Sequence, residues 1–271
     1  MNETAAATAP VYTGTMSWVY DDWRSVFYEA GLPQAKMLEQ LATMFDTVEV
    51  DATFYGFPRP TTLAAWKAQT PDGFRFSFKV PRAVTHERRL LGGTVDVAAD
   101  FGKLIAAEMR ERCGALLLQM PPDFTATEFD TLTAFADGLS SPRSGVADLP
   151  WVVELRHASW QDTGIADYLA ARQIAVATTE RTDCGGPLRY VRLLGTENSV
   201  ARFDERQFDR SAEIATWAER IDAARRTSPV PIYVYVRNFF EGHAPATIAA
   251  RRTCLDLPNA TPPGQKQLSL F

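Results

Sequence analysis

The chain has 271 residues, 46% of them hydrophobic, enough for one large core or two smaller domains. A net charge of −5 argues against a general nucleic-acid binder but leaves room for a local basic pocket. Cys113, Cys184 and Cys254 are far apart, with no CxxC or Cys/His spacing, which speaks against a disulfide framework or a zinc cluster.

Residues 1–10 lack a basic start and an apolar run, so no signal peptide is predicted. No stretch is long and apolar enough to span a membrane. The expectation is a soluble, cytoplasmic protein. Val11–Trp18 reads as the first strand. Pro33–Phe45 follows as a helix, with Pro33 in its first turn and Met37, Leu38, Leu41 and Phe45 as its apolar stripe. Thr47–Tyr55 is rich in β-branched and aromatic residues and reads as the second strand. Pro60–Thr70 is a short helix and Phe74–Pro81 the third strand. A loop with His86, Arg88 and Arg89 leads to a helix near Val95–Arg112. Ala115–Pro121 is the fourth strand, Thr127–Gly138 a helix, and Trp151–Arg156 the fifth strand. A helix near Gln161–Arg172 precedes the sixth strand, Ile174–Glu180. The connection to the seventh, Leu188–Gly195, is short and holds Gly185, Gly186 and Pro187, so a helix is missing there. Phe208–Arg225 is a helix, Pro231–Asn238 the eighth strand, and Ala244–Thr253 the last helix.

Eight strands alternating with helices predict an α/β fold of TIM type, a (β/α)8 barrel whose connection from strand 6 to strand 7 lacks a full helix. A doubly wound open sheet is the main competitor, and count and length favour the barrel. Residues 1–255 form the single barrel domain in this reading. Residues 256–271 carry prolines and a glycine without apolar periodicity at their start and read as a flexible tail.

Alternation along a barrel strand sorts side chains between helices and interior. It groups Glu49 with Asp51, Ser77 with Lys79, Glu154 with Arg156, Tyr190 with Arg192, and Tyr235 with Arg237; Gln119 falls near the end of the fourth strand. The charged residues lie toward the C-terminal ends of their strands, the face where barrel enzymes build their sites. Glu49, Asp51 and Glu154 oppose Lys79, Arg156, Arg192 and Arg237, an excess of one positive charge, with His86 and Arg88 able to add to it. Guanidinium groups bind phosphate or carboxylate in bidentate fashion, so an anion is the natural ligand class. The plainer alternative is a set of ion pairs plugging the barrel mouth. His157 suits a structural role, and His243 either the pocket rim or a solvated loop. One magnesium or manganese ion on Glu49, Asp51 or Glu154 is compatible with the residue types but not indicated by spacing.

At these residues the sequence resembles the YecE-like proteins, domain of unknown function 72. The likeness runs through Gly14-Thr15-Met16-Ser17-Trp18 with Tyr20 and Trp23, Phe27-Tyr28, Phe45 to Pro58, Trp66, Pro71 and Phe76-Ser77-Phe78-Lys79. It continues through Thr85-His86, Leu118-Gln119-Met120-Pro121-Pro122, Glu154-Leu155-Arg156-His157 with Trp160, Tyr190-Val191-Arg192 and the segment around Asn238, to about residue 252. Asp51 and Arg237 depart from it, standing where the family usually has asparagines. The resemblance implies a TIM-barrel-like fold and supplies no reaction. Related barrels include sugar isomerases and the endonuclease IV type of repair enzyme, an analogy of fold alone.

The chain ends in Gln267-Leu268-Ser269-Leu270-Phe271. The pentapeptide resembles the bacterial sliding-clamp-binding motif, in which the last two residues fill an apolar pocket and the glutamine bonds at its edge. This makes Gln267, Leu268, Leu270 and Phe271 candidate contacts to the DNA sliding clamp. The alternative is that Leu270 and Phe271 fold back on the barrel. The functional expectation is a barrel enzyme acting on an anionic, phosphate-containing substrate, nucleic acid among the candidates. Glu49, Lys79 and Glu154 would be catalytic, and Asp51, His86, Gln119, Arg156, Arg192, Tyr235, Arg237 and Asn238 would bind substrate. Hydrolase, nuclease or lyase chemistry would use Glu49 or Glu154 as base; a sugar-phosphate isomerase would use the same carboxylates for proton transfer. A non-catalytic anion-binding module is the third alternative.

Overall fold

The computed structural model describes residues 8–254. Eight parallel strands close into a barrel in chain order: β1 (Val11–Met16), β2 (Thr47–Val50), β3 (Arg75–Lys79), β4 (Cys113–Gln119), β5 (Trp151–Glu154), β6 (Ala175–Thr179), β7 (Tyr190–Leu193) and β8 (Ile232–Val236), with β8 pairing back to β1. Helices α1 (Met37–Met44), α2 (Pro60–Ala68), α3 (Thr94–Met109), α4 (Phe129–Ser140) and α5 (Ile165–Ala170) occupy the first five connections. α6 (Ser211–Thr227) lies between β7 and β8, and α7 (Ala244–Cys254) follows β8. No helix joins β6 to β7, as the glycines and proline there predict. No helix among the described residues is long and apolar enough to cross a membrane.

The strands are shorter than the residue pattern suggests. β2 stops at Val50 because Asp51 turns to helical angles, φ −75° and ψ −25°, and Ala52–Tyr55 forms a 3-10 turn. β5 stops at Glu154 and β8 at Val236. Arg156, Arg237 and Asn238 therefore sit on the connecting segments, where alternation no longer fixes direction. The segment after β3 is also more ordered than a loop: Ala83–Glu87 makes a single π-helical turn that carries His86.

Alternation holds within the strands. Val48, Val50, Phe76, Phe78, Leu116, Leu118, Val191 and Val234 face the helices and are fully buried. Each such side chain stabilises the fold by about 1.5–3 kcal/mol through loss of contact with water. The inward set grades from aromatic to charged along the axis. At the N-terminal end Tyr12 stacks on Tyr233, ring centroids 5.0 Å apart, with the Arg75 guanidinium 5.7 Å from the Tyr12 ring. In the middle the Tyr235 hydroxyl bonds to those of Thr47 and Ser77, both at 2.7 Å. Above them lie Glu49, Glu154 and Arg192. Gly14 is needed on β1, because a Cβ there would come 1.9 Å from the Thr47 carbonyl oxygen.

Candidate functional site

Arg192 on β7 organises the C-terminal mouth. Its Nη2 and Nε donate to the two carboxylate oxygens of Glu49 on β2, at 2.7 and 3.0 Å, and its Nη1 donates to Glu154 on β5. The Tyr190 hydroxyl donates to Glu49 at 2.7 Å and the Gln119 amide to Glu154 at 3.0 Å. Both carboxylates are wholly buried. Burial alone would raise the Glu154 carboxyl; the Arg192 charge, the Gln119 bond and Arg156 together hold it below the ordinary carboxylate value. Burial and the Glu49 charge push the Tyr190 hydroxyl well up, so it remains a donor. Two charges facing one cation, all desolvated, persist only because every group is paired and hydrogen-bonded.

Above this layer opens a cavity of about 410 Å³, lined by Met16, Asp51, Phe54, Lys79, Arg82, His86, Gln119, Arg156, Arg192, Leu194, Glu197 and Arg237. Five cations on its wall face two carboxylates. With Glu49 and Glu154 beneath, the mouth keeps an excess of one positive charge. Lys79 lies 3.4 Å from Asp51 Oδ1 and 4.6 Å from the centre of the Phe54 ring. The Lys79 contact does not have hydrogen-bond geometry, and Asp51 Oδ1 has no donor among the described residues. Arg237 reaches Glu197 at 3.2 Å and Arg156 approaches Glu154 at 3.8 Å. Arg82 is half exposed and pairs with Glu87 at 2.9 Å.

His86 sits on the wall with its ring edge on Phe54, centroids 4.9 Å apart, and its Nδ1 2.9 Å from the Thr85 hydroxyl. Burial lowers its pKa from 6.5, and the charges of Lys79, Arg156 and Arg82 lower it further. The neutral imidazole is thus the resting form at pH 7.

The structure brings Asp51, Lys79, His86, Gln119, Arg156, Arg192 and Arg237 to one mouth. Glu49 and Glu154 belong to the same end but are sealed under Arg192. A general base must reach the proton it takes, and here both carboxylates are fully buried and hydrogen-bonded to the guanidinium. Tyr235 shares the inward face of β8 but sits a layer deeper, its hydroxyl spent on Thr47 and Ser77. Asn238 does not line the cavity either: past the end of β8 its Oδ1 accepts from Trp23 Nε1 at 3.2 Å and from the Ala244 N–H at 3.0 Å. Arg88 turns to the Gly92 carbonyl. His157 caps the short turn Ala158–Trp160. His243 is buried edge-on against Trp23, and burial pushes its pKa down to about 4. Met16, Phe54, Arg82, Leu194 and Glu197 complete the wall without having been expected. Arg82 had a readable signal, a cation directly after the expected third strand, Phe74–Pro81. The tail residues Gln267, Leu268, Leu270 and Phe271 lie outside the described residues.

Among the described residues no three His, Cys, Asp or Glu side chains converge as a metal-binding group. A larger cavity lies elsewhere. About 580 Å³ opens at the N-terminal end, mostly apolar and walled partly by Gly185, Gly186 and Pro187 of the helix-free connection.

A DUF72 family protein from Enterococcus faecalis V583 superposes with a TM-score of 0.69 at 19% identity, covering 95% of this chain and 99% of that one. Another from Thermotoga maritima MSB8 superposes at 0.68 and 20% identity, covering 91% and 99%. These likenesses concern the fold. UPF0759 protein YecE of Escherichia coli K12 is 30% identical over 147 residues, 54% of this chain and 48% of that protein, so the match spans about half the length of that relative. The family described as "Protein of unknown function DUF72" matches residues 12–268, nearly the whole barrel with its mouth, and the chain belongs to that family.

Proposed function

We propose that the C-terminal mouth binds a phosphate-containing anion and that the protein is a hydrolase of phosphate esters. The observation that carries this is the convergence of Lys79, Arg82, Arg156, Arg192 and Arg237 on one cavity, with Arg192 held rigid by two buried carboxylates. Preorganised guanidinium groups of this kind stabilise charge at a fixed point without reorganising. In this reading the arginines hold the phosphoryl oxygens, neutral His86 takes a proton, and Glu49 and Glu154 position Arg192. The tail Gln267–Phe271 tethers the barrel to the DNA sliding clamp, a reading supported by the motif alone.

The sealing of both carboxylates favours a second reading, an anion-binding module without turnover. Titration calorimetry of the full chain with inorganic phosphate, sulfate and ribose 5-phosphate tests the shared premise, and release of phosphate from ribose 5-phosphate separates the two. Heat of binding at micromolar to millimolar ligand is expected. Absence of binding at millimolar phosphate compound would leave the arginines as structural ion pairs.

A further inference from the structure

The rim beside the cations has its own chemistry. The 3-10 turn after β2 places Phe54 on the cavity wall and Tyr55 next to it. Tyr55 is 77% exposed, and its one ring contact among the described residues is edge-on to Phe54, centroids 5.5 Å apart. Two residues further, Phe57 is 45% exposed, with one edge on Phe101 of α3. Phe57 thereby pins the segment to the barrel. The plainer role of Phe54 is similar, since it packs under Lys79 and His86. Neither role explains Tyr55, a large aromatic side chain left in water beside a basic cavity. The third element is Asp51, whose Oδ1 lacks a hydrogen-bond donor although that atom is buried at the cavity wall.

Cations, an acceptor without a hydrogen bond and an exposed ring correspond to three parts of one ligand. Phosphate pairs with guanidinium and ammonium groups. A sugar hydroxyl can donate to Asp51 Oδ1, which is paired with Lys79 at 3.4 Å but accepts no hydrogen bond among the described residues. A nucleobase stacks on an exposed aromatic ring, tolerant of sequence because every base has a π-face. A sugar phosphate would use only the first two. We infer that the mouth takes a nucleotide unit, its phosphate among Lys79, Arg82 and Arg156, its sugar hydroxyl on Asp51 Oδ1, and its base on Tyr55. This rests on the phosphate-binding reading above. The unit comes either from a free nucleoside monophosphate or from the end of a single strand.

The test is a titration of the full chain with four probes: inorganic phosphate, ribose 5-phosphate, adenosine 5′-monophosphate and a fluorescent ten-residue oligothymidylate. Adenosine monophosphate should bind roughly tenfold tighter than ribose 5-phosphate, the gain given by one stacked base. Tyr55→Ala should erase that gain while leaving inorganic phosphate unaffected, and Tyr55→Phe should restore it. Because Tyr55 is exposed, the variant is expected to keep its fold, which its melting temperature checks. Tighter binding of the oligonucleotide identifies a strand end, and equal binding a free nucleotide; both support the inference. Phosphate binding with no gain from the base, or a gain that survives Tyr55→Ala, would sink the nucleotide assignment alone. Failure of all four probes would instead remove the phosphate reading beneath it.

Discussion

Glu49 and Arg192 face each other across the barrel axis, from β2 to β7, and the guanidinium donates to both oxygens of the carboxylate where no solvent reaches. Removing one partner of such a pair leaves an uncompensated buried charge. Arg192→Met should therefore destabilise the barrel by about 3–5 kcal/mol, read from urea denaturation. Changing Glu49 and Glu154 to glutamine in the same background should recover much of that loss. Full stability in the single variant would mean that the carboxylates find other partners.

Arg156 offers the cleaner probe of ligand binding, because it is partly exposed and only approaches Glu154. Arg156→Ala should weaken phosphate binding by at least about 1.5 kcal/mol, the low end for a charge-assisted bond. Its effect on stability should stay below about 1 kcal/mol, as for a partly screened pair. Binding in the unmodified protein should also weaken as salt rises. Calorimetry at two ionic strengths measures both effects.

The lowered pKa of His86 has a defined sign in stability. The unfolded chain takes up a proton near pH 6.5, and the folded chain resists it until lower pH. Stability contributed by neutral His86 is full above that range and declines as pH falls through it. His86→Gln should flatten this part of the stability profile. A bound anion would favour the imidazolium, so phosphate should move the His86 titration upward. NMR titration of the imidazole resonances with and without phosphate reads the shift, and a titration indifferent to phosphate would place the anion away from His86.

Clamp binding is expected of the tail alone. Deleting Gln267–Phe271 should abolish it, and Phe271→Ala should do most of that damage, because one buried aromatic often anchors a short-peptide interface. Affinity should be roughly micromolar given the few residues and their ordering cost. Fluorescence anisotropy of a labelled tail peptide with purified clamp measures it. Equal binding by the Phe271→Ala peptide would rule out the motif.

The barrel and the missing sixth helix were legible because strand and helix periods differ and because Gly185-Gly186-Pro187 leaves no room for a helix. Glu49, Lys79, Gln119, Glu154 and Arg192 were legible as inward-facing residues of one barrel end, since they lie inside strands where alternation fixes direction. Direction was lost past the strand ends. Asn238 turns to hold Trp23 and the start of α7, while Arg82 and Glu197 turn to the cavity. Depth was lost as well. Tyr235 and Arg237 are two residues apart and share a face in sequence, yet one lies in the middle layer and the other at the rim. That Glu49 and Glu154 share one arginine depends on contacts between β2, β5 and β7, which no local pattern encodes.

The connection without a helix has a further consequence, in how the barrel opens. β6 meets β5 over only two registered positions, Val152 with Ala175 and Val153 with Val176, whereas β1 meets β8 over five. On the other side of β6, toward β7, the outer helical layer is interrupted, and the apolar cavity reaches the wall at Ala175 and Val176. Free energies of local opening follow such differences in coverage and pairing. Backbone amides of β6 should exchange with deuterium before those of β1 and β8, so thermal fluctuation would part the barrel first along one side, while Arg192 on β7 remains fastened across the axis to Glu49.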